Sequence, residues 1–243
     1  NLKAVSDKSA ESLPKDYAGK MQNGYLYGTG GEPVVKEYGA LFSIDWETGQ
    51  KTGFFLDQRE NRRLLGEYAT GKKVLNAFCY TGGFSIYALK AGAHSVDSVD
   101  VSAKAMELTE RNVALNGYDD SRHQSYTSDV LDFLRKTHNT YDLMIVDPPA
   151  FAKNMEKRHN AVQGYKRLNA QAMEKISPGG ILFTFSCSQV VNKQLFYDTI
   201  VAAALEAGRQ VRVMHQLSQG PDHPVNMFHP EGEYLKGLVL YVE

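Results

Sequence analysis

Asn76-Ala77-Phe78-Cys79-Tyr80-Thr81-Gly82-Gly83-Phe84 is the stretch that decides the fold. The apolar pair Val74-Leu75 ahead of it reads as a strand. The paired glycines read as a tight turn, and the residues after them as a helix. A second apolar run closes at Asp100, a less regular one at Asp129, and Leu143-Met144-Ile145-Val146 at Asp147. Polar residues ending successive strands gather on one edge of an α/β sheet, where such folds hold ligands.

Outward from this stretch, strands and helices alternate. Strands are expected near 73–76, 95–100, 123–127, 141–147, 180–186, 210–217 and 234–242. Ser102 suits a helix N-cap, Ala105, Leu108, Asn112 and Leu115 follow helical spacing, and Asn116-Gly117 stops that helix. Phe196, Ile200, Ala203, Ala204 and Ala207 repeat the pattern, with Gly208 as the stop. Alternation of this kind predicts a mainly parallel sheet covered on both faces. The long connection Ser218–Glu233 has no helical pattern, so the last strand is expected to return antiparallel. The fold class predicted is therefore α/β: a Rossmann-like seven-stranded sheet over 57–243, its last strand antiparallel. Residues 1–56 read as a linker and a small antiparallel β meander, with strands at Tyr25–Tyr27, Val34-Val35, Ala40–Asp45 and Thr52–Leu56. Asp57 is placed to cap a helix running to about Ala69.

Composition narrows the class. Of the 243 residues 42% are apolar, enough to fill a core, and the net charge of -1 provides no global basic field. Any nucleic-acid contact must then come from a local patch. Two cysteines, Cys79 and Cys187, provide neither a disulfide framework nor metal-ligand spacing, so no metal is expected and a reducing, cytoplasmic setting fits. No apolar run reaches membrane-span length. The chain opens at Asn1 rather than Met, which reads as a segment of a longer protein.

The strand-edge residues fit a nucleoside cofactor. A dinucleotide site needs G-x-G-x-x-G to seat a pyrophosphate on a helix N-terminus. This turn offers Gly82-Gly83 after the bulky Phe78 and Tyr80, with Thr81 between. S-adenosylmethionine (SAM) carries no phosphate, so the departure favours SAM over NAD. Asp100 can accept from both ribose hydroxyls, with Val101 and Ser102 beside it. Asp129, followed by Val130, can accept from the adenine amino group or simply cap the next helix. Asn76 and Asp147-Pro148 complete the expected cofactor edge.

Catalysis is expected one strand over. Asp147-Pro148-Pro149-Ala150-Phe151 stiffens a loop and leaves carbonyls free for a base edge. The next strand ends in Ser186-Cys187-Ser188, near a helix start at Asn192, where a thiolate forms more readily than in a core. Cys79 reads as packing. Attack of Cys187 on C6 of a cytosine would make C5 nucleophilic, while Asp147 hydrogen-bonds N3. Pro149, Phe151, Lys153, Lys157 and Tyr165 are the expected substrate contacts. The lysines belong to a basic run through Arg167, and the aromatics can stack an unstacked base. Gln219–Pro224 is a candidate substrate-side lid.

Lys51–Arg59, Phe78–Phe84, Asp147–Phe151, Phe183–Ser188 and Pro230–Gly237 together resemble the bacterial large-subunit (23S) rRNA cytosine-C5 methyltransferases of the type carrying an N-terminal PUA domain. The likeness covers about 20–243, and the PUA domain falls outside these residues. It implies SAM as cofactor, S-adenosylhomocysteine (SAH) as product, large-subunit rRNA as partner, Cys187 as nucleophile and Asp147 as its acid. It also implies Gln58 and Arg62 near the methionine end of SAM, and suggests a homodimer. No second cysteine stands beside the Pro-Pro motif, so the group that takes the C5 proton is unassigned, with water or His223 as candidates. Two other readings stay open: an amino-group RNA methyltransferase, and a SAM- or RNA-binding module without catalysis.

Overall fold

In the computed structural model the described residues are 2–10, 13–18, 22–31, 33–47, 49, 53–118 and 121–243. Two antiparallel hairpins come first. β1 (Ala4–Asp7) pairs with β2 (Gly24–Gly28), and β3 (Val34–Glu37) with β4 (Ala40–Ser43). The third strand expected over Thr52–Leu56 does not form. Thr52 lies outside the described residues, as does Lys51. Gly53 has φ +84, and a Cβ there would sit 2.5 Å from the Asp45 carbonyl oxygen. The chain turns at that point instead of extending, and Leu56–Gln58 is a single 3₁₀ turn. Helix α1 is the short Lys15–Ala18. α2 (Arg59–Gly66) begins one residue later than the Asp57 cap implied and ends three residues before Ala69.

The main sheet holds β5 (Lys73–Ala77), β6 (Ser95–Asp100), β7 (His123–Thr127), β8 (Tyr141–Val146), β9 (Ile176–Ser186), β10 (Val211–Leu217) and β11 (Lys236–Val242). Their spatial order is β10-β11-β9-β8-β5-β6-β7. β5 through β9 run parallel, while β11 lies antiparallel between β9 and β10. The strand number and the antiparallel last strand match the sequence expectation. Helices α3 (Gly83–Lys90), α4 (Ala103–Leu115), α5 (Val130–Lys136), α6 (Arg158–Glu174) and α7 (Lys193–Glu206) cover the two faces.

Strand alternation explains the two cores. On β8, Met144 and Val146 point into one apolar cluster with Val130, Leu168 and Phe196 of α5, α6 and α7. Leu143 and Ile145 point into the other, with Leu65, Ile86 and Val113 of α2, α3 and α4. A strand buried on both faces must read as an unbroken apolar run, as this one does. The caps are side-chain oxygens of Ser102, Asp129 and Asn192, each accepting from the backbone N–H three residues on. Among the described residues no helix is long and apolar enough to cross a membrane.

Candidate functional site

The turn after β5 is an unusual piece of backbone. Phe78 (φ 59), Tyr80 (φ 49) and Gly82 (φ 74) are all left-handed. For the two aromatic residues that conformation is costly and must be held by its surroundings. The holding groups are visible. The Cys79 amide donates to the Val99 carbonyl at 3.1 Å, and the Gly82 amide to the Cys79 carbonyl at 2.9 Å. From α4, the Thr109 hydroxyl donates to the Tyr80 carbonyl at 2.8 Å, and the Asn112 amide to the Thr81 carbonyl at 2.9 Å. A Cβ on Gly82 would lie 2.8 Å from Thr109 Cγ2, and one on Gly83 3.0 Å from Arg62 Cδ.

Asp100 is bound into the same turn. One carboxylate oxygen accepts from the Tyr80 amide at 3.1 Å and the other from the Ser102 amide at 2.9 Å. Each oxygen keeps a further lone pair, so the group still fits a pair of ribose hydroxyls. Val101 beside it is 73% exposed, a flat apolar surface of the kind a purine covers. The donor set and the cradle thus suit an adenosyl group. Asp129 is exposed, and its side chain accepts from the Asp132 amide at 3.0 Å; it is the cap of α5, with Val130 buried behind it. Asn76 turns inward. It is 1% exposed and donates to Ser85 Oγ at 2.8 Å, which contacts Ser98 Oγ at 2.7 Å, itself 2.8 Å from His123 Nε2.

β8 and β9 bring the catalytic candidates together. Val146 pairs with Thr184, so Asp147 and Cys187 leave adjacent parallel strands at the same edge. The two loops are cross-linked: Ser188 Oγ donates to the Ala152 carbonyl at 2.7 Å. Gln58 Nε2 donates to Asp147 Oδ2 at 2.8 Å, and its own oxygen accepts from Asn61 at 2.6 Å. Cys79 is a packing residue, its sulfur 3.5 Å from the Met106 sulfur, and burial and then the charge of Asp100 push its thiol far up. Cys187 is half-buried.

Two expected contacts need correction. Tyr165 has no exposed surface, and its ring packs on Phe151 at 4.6 Å and Phe196 at 5.9 Å. It has no free face for a base; the α6 periodicity takes it into the core. Its hydroxyl, pushed up to about 12 chiefly by burial, lies in the field of both Cys187 and Asp147. Arg62 is 3% exposed, and its guanidinium is taken by Glu37 in two bonds of 2.9 and 2.8 Å and by the Phe55 carbonyl at 2.9 Å. That commitment makes it a support beneath Gly83 and not a cofactor contact. Phe151 and Pro148 line the loop partly or wholly buried, while Pro149, Lys153 and Lys157 are exposed. Lys166, from the same basic run, pairs with Glu206 at 2.7 Å.

Two features escaped the sequence reading. The Tyr234 hydroxyl donates to Asp57 at 2.7 Å, tying the segment that leads into β11 to the 3₁₀ turn. Lys236 is 4% exposed and donates to the Ser188 carbonyl at 2.6 Å and the Tyr234 carbonyl at 2.7 Å. A lysine set within Leu235-Lys236-Gly237-Leu238 was the available signal. Among the described residues no group of three potential metal ligands occurs.

A parallel sheet with one inserted antiparallel strand, and an acid-anchored glycine turn at its edge, define a class I SAM-dependent methyltransferase. Residues 13–229 match the model of the S-adenosylmethionine-dependent methyltransferase family, and the chain belongs to that family. It is 42% identical over 243 residues to the ribosomal RNA large subunit methyltransferase I of Aeromonas hydrophila, covering 98% of this chain and 61% of that protein. The same-named protein of Shewanella denitrificans is 45% identical over 212 residues, 86% of this chain and 53% of its own length. The chain therefore spans a little over half the length of these curated relatives. A structure described as a SAM-dependent methyltransferase from Streptococcus mutans superposes with TM-score 0.81 at 29% identity, over 90% of this chain and 58% of that one. Another methyltransferase, complexed with SAH, superposes with TM-score 0.81 at 30% identity and the same coverage.

Proposed function

We propose that this chain carries the catalytic part of a large-subunit rRNA methyltransferase that modifies C5 of one cytosine through an adduct to Cys187. The observation that supports it best is the meeting of Cys187 and Asp147 on neighbouring parallel strands, with Ser188 bonded across to Ala152. The names of the curated relatives support the rRNA substrate.

SAM supplies an electrophilic methyl group. Every other step falls to residues of this chain. The target base leaves its stack to enter the loop edge. Cys187 adds to C6 and places electron density on C5. Gln58 donates to Asp147 Oδ2, so a shared proton belongs on Oδ1, where it can meet N3 as negative charge develops. After methyl transfer a base, for which water and His223 are the candidates, takes the C5 proton, and the electron pair of that C–H bond expels the thiolate and restores the ring. Asp100, Val101, Ser102 and the turn 78–83 hold the adenosyl part, and Pro149, Phe151, Lys153 and Lys157 meet the RNA.

The test is transfer of labelled methyl from SAM to unmodified large-subunit rRNA by the full-length protein, its Cys187→Ala variant and its Cys187→Ser variant. 5-Methylcytosine made by the wild type and by neither variant is expected. Undiminished transfer by Cys187→Ala would overturn the adduct and move the acceptor to an exocyclic amine, which the Asp147-Pro148-Pro149 loop also suits.

A further inference from the structure

We propose that Lys236 is a positioning residue that holds Cys187 as the thiolate. This inference rests on the reading of Cys187 as the nucleophile. β11 pairs Lys236 with Ser186, and the Lys236 amine donates to the Ser188 carbonyl at 2.6 Å, so its two attachments bracket Cys187 in the chain. A second bond, to the Tyr234 carbonyl at 2.7 Å, fixes the amine from its own side.

The energetics of burial supply the argument. At 4% exposure, and with no carboxylate within ion-pair distance among the described residues, an ammonium has only neutral carbonyls to answer its charge. A buried cation without an anion is costly and tends to lose its proton. Burial accordingly brings this amine down to about 8, with the charge of Cys187 the foremost influence in the other direction. A neutral amine has two N–H bonds, which the two carbonyls use, and one lone pair. That lone pair can take the thiol proton. The S–H bond breaks, an N–H bond forms, and the electron pair stays on sulfur. A neutral pair becomes an ion pair, and each ion answers the burial of the other. When elimination later expels the thiolate from the base, it returns to the same ammonium with no proton to be moved.

The other charged and titratable groups around the pair are few. The charge of Cys187 acts on both Tyr165 and Tyr234, with Asp147 acting also on Tyr165, and Asp57 and Asp222 on Tyr234. Burial raises both phenols, which stay neutral at working pH. Glu233, paired with Lys193, acts on Lys236 from outside the sheet. Lys236 is thus a buried cation whose charge and that of Cys187 act on one another.

The experiment is the pH dependence of iodoacetamide alkylation at Cys187, read by mass spectrometry of its peptide so that buried Cys79 does not contribute. It uses the full-length protein without SAM or RNA, as wild type, Lys236→Met and Lys236→Arg. The wild-type midpoint should lie below the ordinary cysteine value near ~8.5. Lys236→Met should raise it by about one unit or more, an approximately tenfold loss of reactivity at neutral pH. Lys236→Arg keeps the charge and should keep the low midpoint. SAM affinity, measured on each variant, reports folding. A wild-type midpoint at or above the ordinary value overturns the proposal by itself, whatever the variants do. So does an unshifted midpoint in a Lys236→Met variant that still binds SAM. Neither result touches the adduct, which stands or falls on methyl transfer by Cys187→Ala.

Discussion

Gln58 and Asp147 stand 89 residues apart in sequence and 2.8 Å apart in space, amide nitrogen to carboxylate. The bond ties the 3₁₀ turn at the rim of the site to the acid proposed to meet N3. Gln58 is 4% exposed and also accepts from Asn61, so its amide has one orientation. Gln58→Leu removes this donor from the carboxylate. A bond to a charged group contributes about 1.5–3 kcal/mol, so kcat should fall about 10- to 100-fold. Steady-state kinetics with SAM and rRNA check this. A change in the KM for SAM with kcat intact would return Gln58 to the role of a cofactor contact.

The turn at Gly82 makes a prediction about cofactor affinity. An alanine there meets two penalties: a left-handed backbone, at roughly 1–2 kcal/mol, and a Cβ 2.8 Å from Thr109 Cγ2. Gly82→Ala should weaken SAM binding more than it lowers the melting temperature, because the strain falls on a loop whose neighbours are the rigid β5 and α4. Calorimetric titration with SAM beside a thermal melt decides it. A lowered melting temperature with unchanged SAM affinity would refute it.

Charge on the loop after Pro149 and bulk on α6 should separate cleanly. Lys153 and Lys157 are exposed, so their replacement by glutamate should weaken rRNA binding, flatten its salt dependence and leave SAM binding unchanged. Tyr165→Ala should do something else. A buried aromatic cut to alanine costs about 3–5 kcal/mol, read as a lower melting temperature with or without RNA. Equal loss of SAM and RNA affinity in the lysine variant would sink the assignment.

Lys236 gives stability a pH dependence of known sign. Its folded value, about 8, lies below the ordinary 10.5 of the unfolded chain. Between those values the unfolded state binds the extra proton, so stability rises with pH across that window. Below about 8 both states are protonated and the cost of burying the charge is constant. Chemical denaturation of wild type and Lys236→Met from pH 7 to pH 10 should show the wild type gaining on the variant as pH rises. The raised tyrosines cancel in that difference, and the Cys187 shift proposed above adds to it with the same sign. A difference flat across the window would mean that the amine is not held down by burial.

The sheet was legible in the sequence because its central strands, such as β5, β6 and β8, are buried on both faces and its helices are stopped by Asn116-Gly117 and Gly208. Alternation of apolar runs with amphipathic segments depends on local period alone. The glycine turn and the acids at Asp100 and Asp147 were legible for the same reason, since each ends a strand. What stayed hidden depends on which helix face or which distant loop a side chain meets. Tyr165 stands in a basic, aromatic run that reads as a surface, and only the rotation of α6 turns it inward. Arg62 reads as a free cation until Glu37 is brought up by the hairpin β3–β4. The missing third strand turns on the φ of Gly53, which a run of Phe54-Phe55-Leu56 disguises as extended chain.

Asn112 uses both ends of one amide. Its oxygen accepts from the Ser43 amide at 2.7 Å and its nitrogen donates to the Thr81 carbonyl at 2.9 Å. A planar group four atoms wide is thus the rivet between the small hairpin and the turn. Tilting the hairpin by a fraction of an ångström would swivel that plane and drag on Thr81. An aspartate, equal in shape, could grip only one side, because a carboxylate has no proton to give the carbonyl. The hairpin is therefore a gauge block for the turn, setting from outside the sheet the height of the ledge proposed to carry the methyl donor.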